Sequence, residues 1–189
     1  MAPLMIGLAF ISDTFVRVLL TEKWLPCVPY LLIFCIVYLF YPIHTANLNA
    51  IKAMGRSDTF LVLEIIKKVI GVVTMLITMN ISVLAMAYGM LITSFLCQVI
   101  NSFPNRKLLN YKYFEQLKDI IPYIILATVM GILIYPFNKL GLPNMIVLLL
   151  QIVIGGLFYV LASKHLKFDS YQYVVSVIKG YIGRKEFKN

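Results

Sequence analysis

Three ionisable side chains interrupt one of the long apolar runs of this 189-residue sequence. Glu64, Lys67 and Lys68 all lie within the run over residues 57–79. Ionisable residues inside a membrane are expensive, so each is a candidate functional residue. On a helix, Glu64 reaches Lys67 at i+3 and Lys68 at i+4, which reduces the cost of burial. Two interpretations stay open: the lysines attract a phosphate-bearing substrate in a water-filled cavity, or they pair within the helix and snorkel to the cytoplasmic surface.

A second group of polar residues lies in the preceding apolar run, together with a proline. Its members are Pro42, His44, Thr45, Asn47 and Asn49. Proline removes a backbone hydrogen bond and kinks a helix, and polar side chains can then satisfy the freed groups or line a pore. His44, Asn47 and Ile51 recur at helical spacing and share a face. These side chains either line a substrate cavity or form hydrogen bonds between helices.

The segment Lys52–Asp58 predicts a tight turn between these two runs. Gly55 can end the first helix in the left-handed conformation, and Ser57 or Asp58 can cap the next one. The two cations Lys52 and Arg56 belong to this turn. They are either solvated turn residues or contacts for a gate or a lipid headgroup.

The remaining chemistry-bearing residues do not form a catalytic or metal-binding pattern. The sequence contains no phosphate-binding glycine loop, no HExxH and no GxSxG motif. Its two histidines, His44 and His165, lie far apart, and Cys27, Cys35 and Cys97 lack metal-ligand spacing. We therefore expect neither an enzyme nor a protein with a metal or another cofactor.

The composition indicates an integral membrane protein. Hydrophobic residues make up 61% and charged residues 13% of the chain, and the mean hydropathy is +0.88. Soluble domains carry about a quarter charged residues, so this balance excludes an ordinary soluble globule, a coiled coil and a disordered chain. The net charge of +9 is not accompanied by any nucleic-acid-binding module. An excess of Lys and Arg in cytoplasmic loops explains this charge more simply.

The apolar runs predict an all-α bundle of about six transmembrane helices, followed by a basic tail. The runs are long and unbroken, with no period-two alternation. Asp13 and Arg17 in the first run are placed to pair at i,i+4. Asp119 is placed to cap the fifth helix, with Pro122 in its first turn. The predicted helices cover residues 4–20, 25–50, 57–79, 81–103, 119–137 and 143–163, with a tail over 164–189.

The distribution of basic residues predicts the orientation of the bundle. On one side we place Lys52, Arg56, Arg106, Lys107, Lys112, Lys118, Lys164, Lys167, Lys179, Arg184, Lys185 and Lys188. The other side has only Lys23 and Lys139. By the positive-inside rule, both termini are cytoplasmic in a multi-pass protein. The tail is either an amphipathic helix on an anionic leaflet or a frayed basic segment.

Three segments together resemble a known transporter family. Pro3–Leu8 leads to a loop with Trp24, a later helix ends in Asn47–Asp58 (NLNAIKAMGRSD), and Glu64–Lys68 (EIIKK) follows. This order is similar to the C-terminal part of the oligosaccharide (O-antigen type) flippases of the multidrug/oligosaccharidyl-lipid/polysaccharide exporter superfamily. The most specific part is the stretch from Asn47 to Asp58.

The resemblance implies two helical lobes around a central cavity with alternating access. The implied substrate is an undecaprenyl-diphosphate-linked oligosaccharide, moved across the bacterial inner membrane for polysaccharide or lipopolysaccharide synthesis. On this sequence, the cations that would meet the diphosphate and the sugar are Lys52, Arg56, Lys67 and Lys68. The chain would be the second lobe, with Met1 at a truncation boundary, and its partners would be membrane lipids and either a first lobe or a second copy.

Two alternatives to a flippase lobe remain. One is a membrane glycan polymerase or transferase of the same pathway, although the non-cytoplasmic loops near Asn80 and Lys139 are short for acid–base chemistry. The other is a fragment without a function of its own.

Overall fold

A computed structural model describes residues 1–108, 113–139, 141–169 and 171–177, and within them the chain forms helices and turns without a strand. Two short 3-10 helices, Glu22–Cys27 and Tyr135–Lys139, connect longer elements, and residues 171–177 are helical as well. The α-helices are α1 (Ala2–Leu19), α2 (Val28–Leu39), α3 (Tyr41–Ala53), α4 (Ser57–Thr78), α5 (Val83–Leu108), α6 (Tyr113–Ile134) and α7 (Asn144–His165).

Five helical segments are long and apolar enough to cross a membrane, so the chain forms an all-α, multi-pass membrane bundle. They comprise Ala2–Leu19, Glu22–Ala53, Val83–Pro104, Tyr113–Lys139 and Asn144–His165. The remaining predicted helix, over residues 57–79, forms as α4 and is 22 residues long. Its charged side chains, including the pair Glu64 and Lys67, set it apart from those five segments.

The second predicted helix is broken rather than only kinked. The 3-10 helix precedes α2, and α3 starts at Tyr41 after a break at Phe40. Pro42 occupies the first turn of α3, where its missing N–H costs nothing. Its ring would clash with a carbonyl of the preceding turn in a continuous helix, which explains why the break lies here.

Several predicted boundaries were wrong. Helix α6 begins at Tyr113, so Asp119 is not its cap and Pro122 lies inside the helix rather than in its first turn. At the α3–α4 turn, Gly55 is left-handed with φ 69°, as predicted, but no side chain caps α4. Backbone hydrogen bonds close that turn without Ser57 or Asp58.

Helix α1 lies at the centre of the bundle and packs against α2, α6 and α7. A buried cluster of Ile11, Ile134 and Leu148 joins α1 to the last two helices. The pairing expected between Asp13 and Arg17 does not occur; the Arg17 guanidinium instead lies 2.7 Å from the Glu22 carboxylate. Arg17 thereby links α1 to the 3-10 helix that follows it.

Helices α4 and α5 form the hairpin that the short link near Asn80 predicted, and α4 packs against α5 and α3. Most apolar side chains of α4 are exposed in the isolated chain. Of the predicted tail, the basic residues Lys179, Arg184 and Lys185 lie outside the described residues. Both interpretations of the tail therefore stay open.

We expect Gly131→Ala to destabilise the fold, because Gly131 is where α6 approaches α1. A Cβ atom there would overlap the Phe10 ring, lying 2.8 Å from its Cγ. Overpacking of this kind costs about 1–3 kcal/mol, which outweighs the gain in helix propensity from alanine of up to ~1 kcal/mol. The melting temperature of the purified protein in detergent measures the effect.

Gly156→Ala on α7 is the matched control, because nothing lies within 4 Å of a Cβ atom at Gly156. It should leave the melting temperature unchanged or raise it. In a Phe10→Ala background, the penalty of Gly131→Ala should disappear. A Gly131→Ala variant as stable as the parent protein would show that this contact does not limit helix packing.

Candidate functional site

The ionisable residues of α4 lie in a groove between α3, α4 and α5. We call it the charged groove; its volume is about 380 Å³. The groove is lined by His44, Glu64, Lys67, Lys68, Gly71, Val72, Met75 and Cys97. It combines the three charged residues of α4 with one histidine from α3, so it brings together four of the eight predicted site residues.

An ion pair anchors this groove. The Lys67 ammonium donates to the Glu64 carboxylate across one turn of α4, as the i,i+3 spacing predicted. The Lys67 side chain retains only 8% of its exposure and Glu64 retains 32%. At 1.5 Å per residue, the pair starts about 10 Å along α4 from Ser57. Pairing lowers the cost of placing two charges at this depth.

Lys68 gives the groove an excess of positive charge. Its side chain is exposed and lines the same groove as the ion pair. Since Glu64 compensates one ammonium, the two lysines and the carboxylate together leave one net positive charge. An ammonium at such a site attracts a phosphate group as a compact point charge.

His44 is held in place from two directions. Its ring stacks on Tyr41 with the ring centres 5.9 Å apart, and its Nδ1 lies 2.8 Å from Asn101 Nδ2. With Asn101 donating to Nδ1, a neutral ring carries its proton on Nε2. Helix α5 thus sets the orientation of a histidine that belongs to α3.

The other predicted cations lie outside the groove, at the α3–α4 turn. The Lys52 ammonium sits 4.4 Å from the centre of the Phe60 ring, a cation–π contact. Arg56 is exposed at the start of α4, and Asn49 is exposed on α3. These three residues do not join Lys67 and Lys68.

Asn47 also lies outside the groove, because it points into the bundle. Its Nδ2 donates to Ser102 Oγ at 3.1 Å and to Gln116 Oε1 at 2.7 Å. These bonds join α3 to α5 and α6 within a buried site. The arrangement matches the interhelical interpretation of this residue rather than cavity lining.

Helix α5 supplies a polar row that the sequence analysis missed. Gln98, Asn101 and Ser102 are all buried, and their spacing of three and four residues places them on one face. Gln98 Nε2 donates to the Phe40 carbonyl at 2.8 Å, at the break between α2 and α3, and its Oε1 accepts from Tyr113. The spacing was visible in an apolar run and could have revealed this row.

A second polar group lies towards the other end of α6. Thr14 Oγ1 donates to Asn138 Oδ1 at 2.8 Å, and Gln151 Nε2 donates to the same oxygen at 2.9 Å. The Gln151 side chain is fully buried and also donates to the Ile134 carbonyl. This group connects α1, α7 and the 3-10 helix after α6.

Within the described residues, no group of three His, Cys, Asp or Glu side chains could hold a metal ion. No family model, no curated protein and no solved structure matches this chain.

We expect Glu64→Gln to destabilise the protein, because it leaves the buried Lys67 ammonium without its carboxylate. The expected loss is about 2 kcal/mol, below the full cost of breaking a buried ion pair because Glu64 is partly exposed. Glu22→Gln breaks the exposed pair with Arg17 and should cost less than about 1 kcal/mol. Thermal unfolding in detergent compares the two variants.

Adding Lys67→Met to Glu64→Gln should restore most of the lost stability, since no buried charge then remains unpaired. Equal melting temperatures for Glu64→Gln and Glu22→Gln would contradict a stabilising role for the pair.

Asn47→Ala and Asn49→Ala form a second matched pair on α3. Asn47→Ala removes donors to two helices and should cost about 1 kcal/mol, since one interhelical hydrogen bond within a membrane protein contributes roughly 0.6 kcal/mol. Asn49→Ala should change the melting temperature little, because its side chain is exposed. A lower melting temperature for Asn49→Ala than for Asn47→Ala would show that the hydrogen bonds of Asn47 do not stabilise the bundle.

Proposed function

We propose that this chain acts as the C-terminal lobe of a flippase that moves an undecaprenyl-diphosphate-linked oligosaccharide across the bacterial inner membrane. The observation that carries the proposal is the charged groove, in which two lysines and a carboxylate lie well along a helix of a membrane bundle. Intramembrane charges are rare and mark substrate or ion pathways.

The chemistry of the charged groove suits a diphosphate better than a neutral sugar alone. Lys68 is exposed to the groove, and Lys67 is held in place by Glu64. A phosphate oxygen entering the groove accepts hydrogen bonds from the two ammonium groups while Glu64 limits the net charge. Such charge-assisted hydrogen bonds are stronger than neutral ones, so the lipid-linked diphosphate would supply most of the binding energy.

The position of α4 at the side of the bundle supports a role for this helix as the element that moves during transport. It packs against α3 and α5, whereas α1 lies between three other helices. An element with fewer packed neighbours opens at a lower free energy than the core. In a two-lobe transporter, the exposed apolar side of α4 would face either lipid or the other lobe, which is a first lobe or a second copy.

The sequence resemblance adds independent support. Its most specific stretch, Asn47–Asp58, forms the end of α3 and the turn into α4, next to the charged groove. By the positive-inside rule, the bias of Lys and Arg towards one side supports a cytoplasmic position for that turn and both termini. The groove would then lie in the cytoplasmic half of the membrane, where a lipid-linked precursor starts its passage.

Substitution of the groove lysines in the native gene tests this proposal. We expect Lys68→Ala to reduce surface polysaccharide about tenfold, the loss that removal of one charge-assisted hydrogen bond produces. Lys68→Arg should retain a substantial part of the surface polysaccharide, since arginine keeps the positive charge. Surface polysaccharide is measured by gel staining at equal membrane levels of each variant.

Lys139→Ala is the control, because Lys139 is an exposed lysine outside the groove. Unchanged polysaccharide in the double variant Lys67→Ala, Lys68→Ala, at equal protein level, would overturn the role of the groove. Conversion of a lipid-linked sugar by the purified protein would favour a polymerase or transferase instead.

A further inference from the structure

A larger, apolar cleft continues from the charged groove. Its volume is about 530 Å³, and it lies between α2 and α4 with α5 as its floor. We call it the apolar cleft; the residues that matter here are Tyr30, Phe34, Gly71, Met75, Met86 and Met90. Its size is within the roughly 300–1,000 Å³ range of ligand pockets.

Two residues of α4 connect the cleft with the charged groove. Gly71 and Met75 line both cavities. Nothing lies within 4 Å of a Cβ atom placed on Gly71, so the passage between the cavities is open at this residue. A single elongated molecule can therefore occupy both cavities at once.

The cleft presents hydrocarbon rather than hydrogen-bonding groups. Thr93 Oγ1 donates to Thr74 Oγ1, and Thr78 Oγ1 donates to the Thr74 carbonyl, so these hydroxyls are bonded within the α4–α5 hairpin. Methionine side chains form much of the wall and adapt to irregular apolar shapes. The chemistry changes from charged to apolar over about one turn of α4.

We propose that the apolar cleft holds the hydrocarbon chain of the same lipid whose phosphate group occupies the charged groove. The inference rests on the proposed function for the identity of the lipid. The excess positive charge at one end and the apolar walls at the other fit an anionic amphiphile in one orientation. A neutral lipid would gain only the apolar contact.

The order of the cavities along α4 sets the direction of that lipid. The ion pair starts about 10 Å from Ser57, whereas the cleft extends past Thr78 to the α4–α5 turn, about 30 Å from Ser57. With the α3–α4 turn in the cytoplasm, the phosphate faces the cytoplasmic side and the chain points towards the opposite leaflet. This is the orientation of a lipid taken from the cytoplasmic leaflet.

Photolabelling in nanodiscs tests the inference with two lipid probes. Both carry the same isoprenoid chain with a diazirine near its far end; one has a phosphate headgroup and the other a phosphocholine headgroup. We expect the phosphate probe to label the peptide containing Met86 and Met90 at an about tenfold lower concentration, through the lysine contacts. Peptide mass spectrometry locates the label.

Gly71→Leu should reduce labelling by the phosphate probe to the level of the phosphocholine probe, because its side chain fills the passage. Gly156→Leu is the matched control, since a Cβ atom there also meets nothing within 4 Å. It should leave the labelling unchanged. If Gly71→Leu does not fold, the comparison of the two probes on the native protein decides alone.

Equal labelling by both probes would mean that bulk lipid fills the cleft, and the inference would be overturned. Unchanged labelling in folded Gly71→Leu would overturn it as well. The failure of the proposed function looks different: Lys68→Ala would leave surface polysaccharide intact while the headgroup preference of the native protein persists. The cleft would then bind an anionic lipid that the protein does not translocate.

Discussion

The buried Lys67 ammonium, about 15 Å along α4, needs a carboxylate nearby, and this requirement organises the site around α4. Glu64 meets it one turn before Lys67, on the same helix, so the pair does not depend on a neighbouring element for its partner. Lys68 is then free of that constraint and faces the groove. The result is a helix that brings positive charge into the bundle while its opposite side remains apolar and exposed.

Elsewhere in the bundle, buried polar side chains form hydrogen bonds with side chains of other helices. Buried polar groups in a bilayer must find partners within the protein. Two polar groups provide them near opposite ends of α6, one with Asn47, Ser102 and Gln116 and the other with Thr14, Asn138 and Gln151. Both connect helices other than α4. The described part of the chain thus combines a cross-linked set of helices with one helix that is held mainly by packing.

The elements followed from the sequence, because long apolar runs and local spacing determine them. The all-α bundle, the turn at Gly55 and the pairing of Glu64 with Lys67 all depend on residues that are close in the chain. Hydrogen bonds between helices, in contrast, depend on residues that are far apart in the chain. Asn47 and Asn49 look equivalent in the sequence, yet residues two apart point to different sides of a helix, and only the packed structure decides which is buried. The start of α6 at Tyr113 was missed because polar residues of the predicted loop continue the helix.

The break between α2 and α3 divides the residues that line the two cavities along α4. The predicted helix over residues 25–50 breaks at Phe40, whose carbonyl accepts a hydrogen bond from Gln98 on α5. As a result, α2 contributes aromatic rings to the apolar cleft, and α3 contributes His44 to the charged groove. Proline in one helix and a buried glutamine in another thereby help to separate the charged groove from the apolar cleft along a third.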